Sequence, residues 1–393
     1  MSAATTMPSA PTIPARPIGR LVIAGGGTGG HVYPGVAIAE EVLRRNPAAK
    51  VAFIGTTRGL EGKILPPLGY ALETITVSRL KGGSILQKVL GLFRLPRAIF
   101  QSWRILRRWQ PEVVLGVGGY ASGPALLAAW MTFRRCAIQE QNATPGLTNR
   151  WLGKLVHKVF LGFAAAAKSF RAKKTVFTGN PIRAAVAARL TDATGAAPGG
   201  RDDTKALRVL VFGGSQGAQF LNARVPAALA LLAAQHPELA LTVTHQTGTA
   251  DEATTRALYD ATPMAGSVTV TPFIHDMPRA YGEVDVAICR AGALTIAELT
   301  AVGLPSVLVP FPFAADNHQE SNARVLEAAG AAIVATQQAW SDAAVAEALA
   351  GLAADRAKLA AMARAAQGSA RVGAARTIVD ELEGIAKRKA VAA

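Results

Sequence analysis

The chain has 393 residues, half of them apolar and only 6% aromatic, a length that predicts two or three domains. A net charge of +16 and a pI near 10.4 call for an anionic partner, such as phosphorylated substrates, acidic lipid or nucleic acid. Two isolated cysteines, Cys136 and Cys289, exclude a disulfide framework and a cysteine metal cluster, and indicate a reducing compartment.

Residues 1–18 are rich in Pro, Ala and Thr and lack an apolar run. They read as a disordered leader rather than a signal peptide. No stretch approaches the roughly 18–20 apolar residues of a membrane span, so the expected location is cytoplasmic, with peripheral membrane contact.

Next comes "RLVIAGGGTGGH", an apolar strand, a glycine turn and the start of a helix. Bare backbone lets a diphosphate or a sugar approach, and free N–H groups at a helix N-terminus attract anions. The same glycines also suit a simple tight turn. The loop contains G-x-G-x-x-G, but the region about 20 residues on, "KVAFIG" and "TTRG", holds no carboxylate for a dinucleotide ribose. No Lys-Ser/Thr follows the last glycine either, which excludes a Walker loop. His31, at the positive end of a helix, is expected to stay neutral and able to accept a proton. The alternative is a ring that caps or packs on the loop.

Between Glu73 and Glu112 there are eight Lys and Arg and no acid. Ile85, Leu86, Leu90, Phe93 and Trp103, with Arg94 among them, form a pattern suited to anionic lipid. A core-packing helix with a solvated basic face is the competing reading. The charge is uneven over the whole chain: residues 1–200 carry 26 basic against 7 acidic side chains, and residues 201–393 carry 16 against 19.

The strands continue as "EVVLGVGG", "CAIQEQN" and "KTVFTGN", then "LRVLVFGG", "LTVTHQTG", "VTVTPFI", "DVAICRAG" and "PSVLVPFP". Continuous apolar strands alternating with helices predict parallel sheets covered on both faces. "VLVFGGSQGAQFLNARVPAAL" repeats the opening strand, glycine turn and helix, so the first unit of a nucleotide-type domain occurs twice. The expected division is a domain over 19–180, a second over 181–370, and a C-terminal helix over 371–393 that can pack back on the first domain.

"GGGTGGHVYPG", "GVGGYASGP", "QEQNATPGLTN", "GNPIR", "GGSQGA", "CRAGALTIAE" and "DNHQESNA" occur in an order and spacing that resembles the MurG glycosyltransferase family. The resemblance covers about residues 20–385. It implies an α/β fold of the GT-B type, with two Rossmann-like parallel-sheet domains facing across a cleft. It also implies transfer of N-acetylglucosamine from UDP-N-acetylglucosamine to an undecaprenyl-linked muramoyl-pentapeptide in peptidoglycan synthesis, at the cytoplasmic face of the plasma membrane.

Carried onto matching positions, the resemblance assigns Ala293, Leu294, Thr295, Ile296, Ala297 and Glu298 to the nucleotide. Glu298 would bind the ribose, Ser215 would lie near the diphosphate and Ile274 at the uracil. Arg183 and Gln319 are matched to the donor, and Thr28, Gly29, Gly30 and Asn142 to the transferred sugar. On composition alone, Glu298 and Arg183 also fit solvated charges, and Gln319 and Asn322 ordinary helix-start residues. Gln139 stands where the family often has His, and Ala291 where Ser is common.

No Asp-x-Asp is present to hold a divalent ion on the diphosphate, so the expectation is a metal-independent, inverting transfer without cofactor. His31 is the expected base and Glu140 the fallback. Three rivals stand beside this reading. A nucleic-acid binder lacks any recognition motif here, a dinucleotide-dependent oxidoreductase lacks its ribose carboxylate, and a non-catalytic nucleotide-sugar-binding scaffold would share the same motifs.

Overall fold

The computed structural model of the chain describes residues 16–57, 59–77, 85–182, 186–187, 206–214 and 217–387, without the side chains of 85–94 and 387. Arg183 and Ser215 therefore lie outside the described residues, as do the side chains of Ile85, Leu86, Leu90, Phe93 and Arg94.

The first sheet contains β1 (Arg20–Ala24), β2 (Lys50–Thr56), β3 (Ala71–Ile75), β4 (Val113–Gly116), β5 (Arg135–Glu140), β6 (Lys158–Leu161) and β7 (Thr175–Phe177). Their order is β3-β2-β1-β4-β5-β6-β7, and neighbouring strands pair in parallel. The interleaved helices are α1 (Gly29–Arg45), α2 (Glu61–Ile64), α3 (Ile85–Trp109), α4 (Ser122–Met131) and α5 (Leu147–Leu155).

The second sheet repeats the plan with β8 (Ala206–Phe212), β9 (Ala240–Gln246), β10 (Val268–Thr271), β11 (Val286–Cys289), β12 (Ser306–Leu308) and β13 (Ala332–Val334). The order is β10-β9-β8-β11-β12-β13, again parallel. Its helices are α6 (Gln219–Gln235), α7 (Glu252–Asp260), α8 (Met277–Gly282), α9 (Ala293–Val302), α10 (His318–Ala328), α11 (Asp342–Ala354) and α12 (Arg356–Ser369).

In each sheet the strand order reverses beside the strand that opens the domain, between β1 and β4 and again between β8 and β11. Loops leaving the carboxyl ends of such a pair diverge and leave a crevice, where doubly wound sheets bind ligands. The two glycine turns stand at these two crevices, so the internal repeat seen in the sequence is a repeat of the binding position.

Helix α13 (Ala374–Lys387) returns to the first domain. Ile378, Val379, Leu382 and Ile385 complete the cluster formed by Val32, Val36 and Val42 of α1 with Leu21 and Ile23 of β1. Their spacing gives one apolar stripe on a helix. Arg45 meets Asp380 at 2.7 Å and Glu383 at 3.2 Å, and Lys158 meets Glu381 at 2.9 Å. Just before this helix, the Arg371 guanidinium lies 5.1 Å over the Phe177 ring of β7.

The expected leader is too long at its end. Ile18 is only 1% exposed, in the same cluster, and its carbonyl accepts from the Asn46 side chain at 3.1 Å.

The second domain buries a titratable ring. His245 is fully enclosed on β9; Nδ1 lies 2.9 Å from the Tyr259 hydroxyl and Nε2 3.1 Å from Asn222 Oδ1. The Asn222 amide donates to Thr247 O, so its Oδ1 accepts, and the His245 proton sits on Nε2. Burial pulls this pKa down to about 3. The unfolded chain takes up a proton below about 6.5, whereas the folded chain does not until near 3. His245 therefore lowers stability as pH falls through that interval, by about 1.4 kcal/mol per pH unit. Urea midpoints of the wild-type chain, taken between pH 7.5 and pH 5, will show this decline. In His245→Gln the slope will be smaller by about one proton, and an unchanged slope would refute the assignment.

Candidate active site

The first glycine turn follows β1. Gly26 and Gly27 take φ of +146° and +93°, and α1 then begins with no side-chain cap; the Thr28 carbonyl accepts from the His31 and Val32 amides. Thr28 and Gly30 are exposed and Gly29 half-exposed, at the turn that follows β1.

Beneath the turn lies a residue that spacing did not reveal. Glu61, fully buried at the start of α2, accepts from the Gly27 amide at 2.7 Å and from the Thr56 amide and hydroxyl at 2.6 and 2.9 Å. A side chain on Gly26 would collide with its carboxylate. In a dinucleotide-binding domain a phosphate takes the amides of such a loop. Here an internal carboxylate holds the Gly27 amide, and its charge repels a diphosphate. The oxidoreductase reading fails on this point. The sequence signal is a lone Glu just beyond β2, a few residues past the position of a dinucleotide's ribose carboxylate.

His31 sits in the second turn-end of this crevice, partly exposed, with Nδ1 buried against the backbone of Gly118. Burial, reinforced by the positive influence of His318 from α10, holds the ring below the ordinary imidazole value; Gln141, the Val117 carbonyl and Glu61 pull the other way. The ring is therefore neutral at pH 7, and burial rather than the helix start is the largest cause.

Glu140, the fallback base, is corrected by the structure. Its carboxylate accepts from the Asn142 and Gly146 amides at 3.0 and 3.2 Å and from the Asn142 and Asn149 side chains at 3.3 and 2.9 Å. Burial pushes its pKa up while these donors pull it down. Glu140 thus clamps the loop 140–149 and acts as an internal acceptor. Asn142 is likewise committed to protein partners, because its Oδ1 accepts from Asn322 at 3.1 Å across the cleft. The Ala143 amide also donates to Asn322 Oδ1 at 2.8 Å, and Thr144 bonds Ser321 at 2.9 Å.

On the far wall, α9 begins after Gly292 without a side-chain cap, leaving free N–H groups at its positive end. Leu294, Thr295 and Ala297 are half-exposed, whereas Ala293 and Ile296 are buried in the core. Glu298 is buried and accepts from the Tyr281 hydroxyl at 3.0 Å. Ile274, half-buried, leaves β10 in the loop before α8 and leans on the same core. Gln319 accepts from the Phe311 amide at 3.0 Å. Before it, Asp316 and Asn317 both take left-handed φ values of 56° and 51°, and backbone strain of this kind concentrates at functional loops.

Arg290 was not anticipated. Leaving β11 at the second crevice, its guanidinium donates to the Val309 and Pro310 carbonyls at 3.0 and 3.2 Å and lies 5.4 Å over the Phe311 ring. Burial lowers its pKa to about 10, still fully charged at neutral pH.

On the first domain, α3 turns Ala98, Ser102, Ile105 and Leu106 inward and Arg97, Phe100, Arg104, Arg107 and Arg108 outward. Trp103 is corrected from a lipid-facing residue to a half-buried one, packed on the core with Phe100 stacked 5.4 Å away. Between α3, α4 and α5 opens an apolar cavity of about 460 Å³ lined by Leu95, Tyr120, Leu127, Leu147, Trp151 and Leu155. Its rim is exposed at Leu147 and Trp151, and Lys154 sits 4.2 Å over the Trp151 ring.

The glycosyltransferase family 28 N-terminal domain matches residues 21–161, and the C-terminal domain of that family matches 208–378. A protein of Anaeromyxobacter sp. (strain Fw109-5), named UDP-N-acetylglucosamine–N-acetylmuramyl-(pentapeptide) pyrophosphoryl-undecaprenol N-acetylglucosamine transferase, is 50% identical over 317 residues, 80% of each chain. The chain belongs to the MurG family of glycosyltransferases. A MurG-family relative from Trichlorobacter lovleyi with the same name is 42% identical over 377 residues, 93% of this chain and 98% of its own. The crystal structure of Acinetobacter baumannii MurG superposes with a TM-score of 0.76 at 32% identity, covering 93% of this chain and 99% of that one. The two facing Rossmann-like domains of this chain are thus the family's GT-B arrangement. Among the described residues no group of three His, Cys, Asp or Glu side chains is placed to hold a metal ion, and no helix is long and apolar enough to cross a membrane.

Proposed function

We propose that this chain moves N-acetylglucosamine from UDP-N-acetylglucosamine to the 4-hydroxyl of the undecaprenyl-diphospho-muramoyl-pentapeptide, the reaction named for its relatives, with His31 as base. The hydroxyl oxygen attacks the anomeric carbon, the bond from that carbon to the β-phosphate oxygen breaks, and the hydroxyl proton passes to His31. One in-line displacement of this kind inverts the anomeric configuration. UDP leaves as an anion toward the open N-terminus of α9 and the Arg290 charge, which stabilise it without a metal. Thr28, Gly29 and Gly30 face the sugar, and Glu298, oriented by Tyr281, accepts from the ribose.

The observation that carries this reading is the approach of the two crevices. α1, bearing His31, touches α9 across the cleft, so a sugar nucleotide held on one wall presents its anomeric carbon to the base on the other. The same reading sets the enzyme at the cytoplasmic face of the inner membrane. The outward cations of α3 meet anionic headgroups, and the cavity between α3, α4 and α5 receives the first prenyl units of the acceptor.

The test is transfer of labelled sugar to acceptors of long and short prenyl chain, with a chelator present throughout. Wild-type turnover persists, and Trp151→Glu raises KM about tenfold for the long-chain acceptor, the worth of one lost aromatic contact, while leaving the short-chain acceptor unchanged. Loss of transfer in chelator, restored by magnesium, would overturn the metal-free mechanism; equal KM values would overturn the lipid cavity.

A further inference from the structure

A row of buried side-chain amides runs from His31 to the far wall of the cleft, and its polarity can be read from both ends. At one end the Asn180 side-chain nitrogen donates to the carbonyls of Gln141 at 2.9 Å and Ala293 at 3.4 Å. A carbonyl can only accept, so this atom is the NH2 and Asn180 Oδ1 is an acceptor. Gln139 Nε2 donates to that oxygen at 2.8 Å, which makes Gln139 Oε1 an acceptor in turn. It receives Gln141 Nε2. The other end agrees, because Gln141 Nε2 also donates to the Val117 carbonyl at 2.7 Å. Both protons of the Gln141 amide are therefore spent, and only its oxygen is left to face outward.

That oxygen and His31 Nδ1 are both buried and not closed onto any other group at ordinary hydrogen-bond geometry, and Gln141 and the Val117 carbonyl are the two acceptors placed to pull on the ring. Gln141 Oε1 and His31 Nδ1 flank the same bare face of Gly118. A Cβ built there would lie 2.7 Å from His31 Nδ1 and 3.5 Å from Gln141 Oε1. Gly118 has φ of +88°, so the absence of a side chain at this point suits both the backbone and the two facing atoms. The titratable groups that face the ring, Glu61 and His318, act on it through space.

We propose that Gln141 is a positioning residue that fixes the proton of neutral His31 on Nδ1, leaving the Nε2 lone pair to face the acceptor hydroxyl, and that Gln139 and Asn180 fix Gln141. The inference rests on the reading of His31 as the base. A neutral imidazole, like an amide, accepts on one edge and donates on the other, so a histidine in place of Gln139 would transmit the same polarity. The row ends at Ala293, the first residue of α9, and so ties the base to the wall that receives the donor.

The experiment is 15N NMR of the full-length chain labelled at histidine, at pH 7.5, with the His31 signals assigned by their loss in His31→Gln. The expected result is a protonated Nδ1 and an unprotonated Nε2 for His31. Gln141→Met, similar in shape but without the oxygen, gives a mixture of tautomers and about tenfold lower kcat, a fraction of what a general base contributes, with donor KM unchanged. Gln139→His keeps both tautomer and kcat, whereas Gln139→Met behaves like Gln141→Met. A wild-type His31 protonated on Nε2 overturns the proposal even if every variant fails to fold, as does a Gln141→Met protein with wild-type tautomer and kcat. If the tautomer is as expected but His31→Gln turns over normally, it is the base reading that falls, and the role of Gln141 in catalysis with it.

Discussion

Replacing His31 with alanine lowers turnover by about 10²–10⁴-fold, the range that a general base supplies, and leaves UDP-N-acetylglucosamine affinity near the wild-type value. The asymmetry follows from geometry. In the proposed arrangement the donor is held on the second-domain wall by α9 and its neighbours, whereas His31 stands on the first-domain wall at the start of α1, behind three solvent-accessible backbone positions. The pH profile supplies a second readout. Burial first, and the electrostatic influence of His318 second, hold the ring below the ordinary imidazole value, against the opposing pull of Gln141, the Val117 carbonyl and Glu61. A base must be unprotonated to act, so kcat falls as pH drops through this lowered pKa, and the acid limb lies below about 6.5. The variant loses that limb along with its rate. Wild-type turnover in His31→Ala, measured with saturating donor and acceptor, would make the ring merely a packing element of the Gly118 turn.

The doubly wound sheets, their parallel pairing and the two glycine turns were legible because each depends on local signals: apolar strand runs, glycines at the turn and a helix immediately after. The same locality explains what was missed. Glu140 looked like a spare carboxylate beside a base. The donors that occupy it come from residues two to nine positions later, and only the folding of that loop brings them round. Asn142 read as a sugar contact because its partner, Asn322, is 180 residues away. Trp103 was grouped with the lipid-facing side chains by composition, yet the helix turn places it beside Ala98 and Leu106, which enter the core. Arg290 and Gln141 lie inside the quoted stretches "CRAGALTIAE" and "QEQNATPGLTN", which do not single them out. Their roles come from where a strand ends and which carbonyls surround them, and neither can be inferred from spacing. At the C-terminus a helix able to pack back on the first domain was expected, and the fold supplies its seat, with Ile378, Leu382 and Ile385 against α1 and β1.

Glu61→Ala destabilises the chain by about 2–4 kcal/mol, read as a lower urea midpoint, and reduces turnover with it. The wild-type carboxylate satisfies three donors at once, the Gly27 amide and the amide and hydroxyl of Thr56. Truncation strands those donors in a fully buried site and removes the wall against which Gly26 holds its φ of +146°. The first turn is then free to leave the geometry that aims Thr28 and His31 at the cleft, so the loss of rate exceeds what partial unfolding alone would cause. Glu61→Gln separates the two effects. It keeps one acceptor oxygen and the side-chain volume, but turns an NH2 toward a loop of N–H donors, so it recovers part of the packing and little of the hydrogen bonding. Its midpoint falls between those of the wild-type and alanine proteins, and its turnover stays closer to the alanine variant. If Glu61→Ala unfolds and turns over like the wild type, the turn is held by its own backbone and the carboxylate beneath it is incidental. If it is less stable but fully active, Glu61 supports the domain without aiming the site.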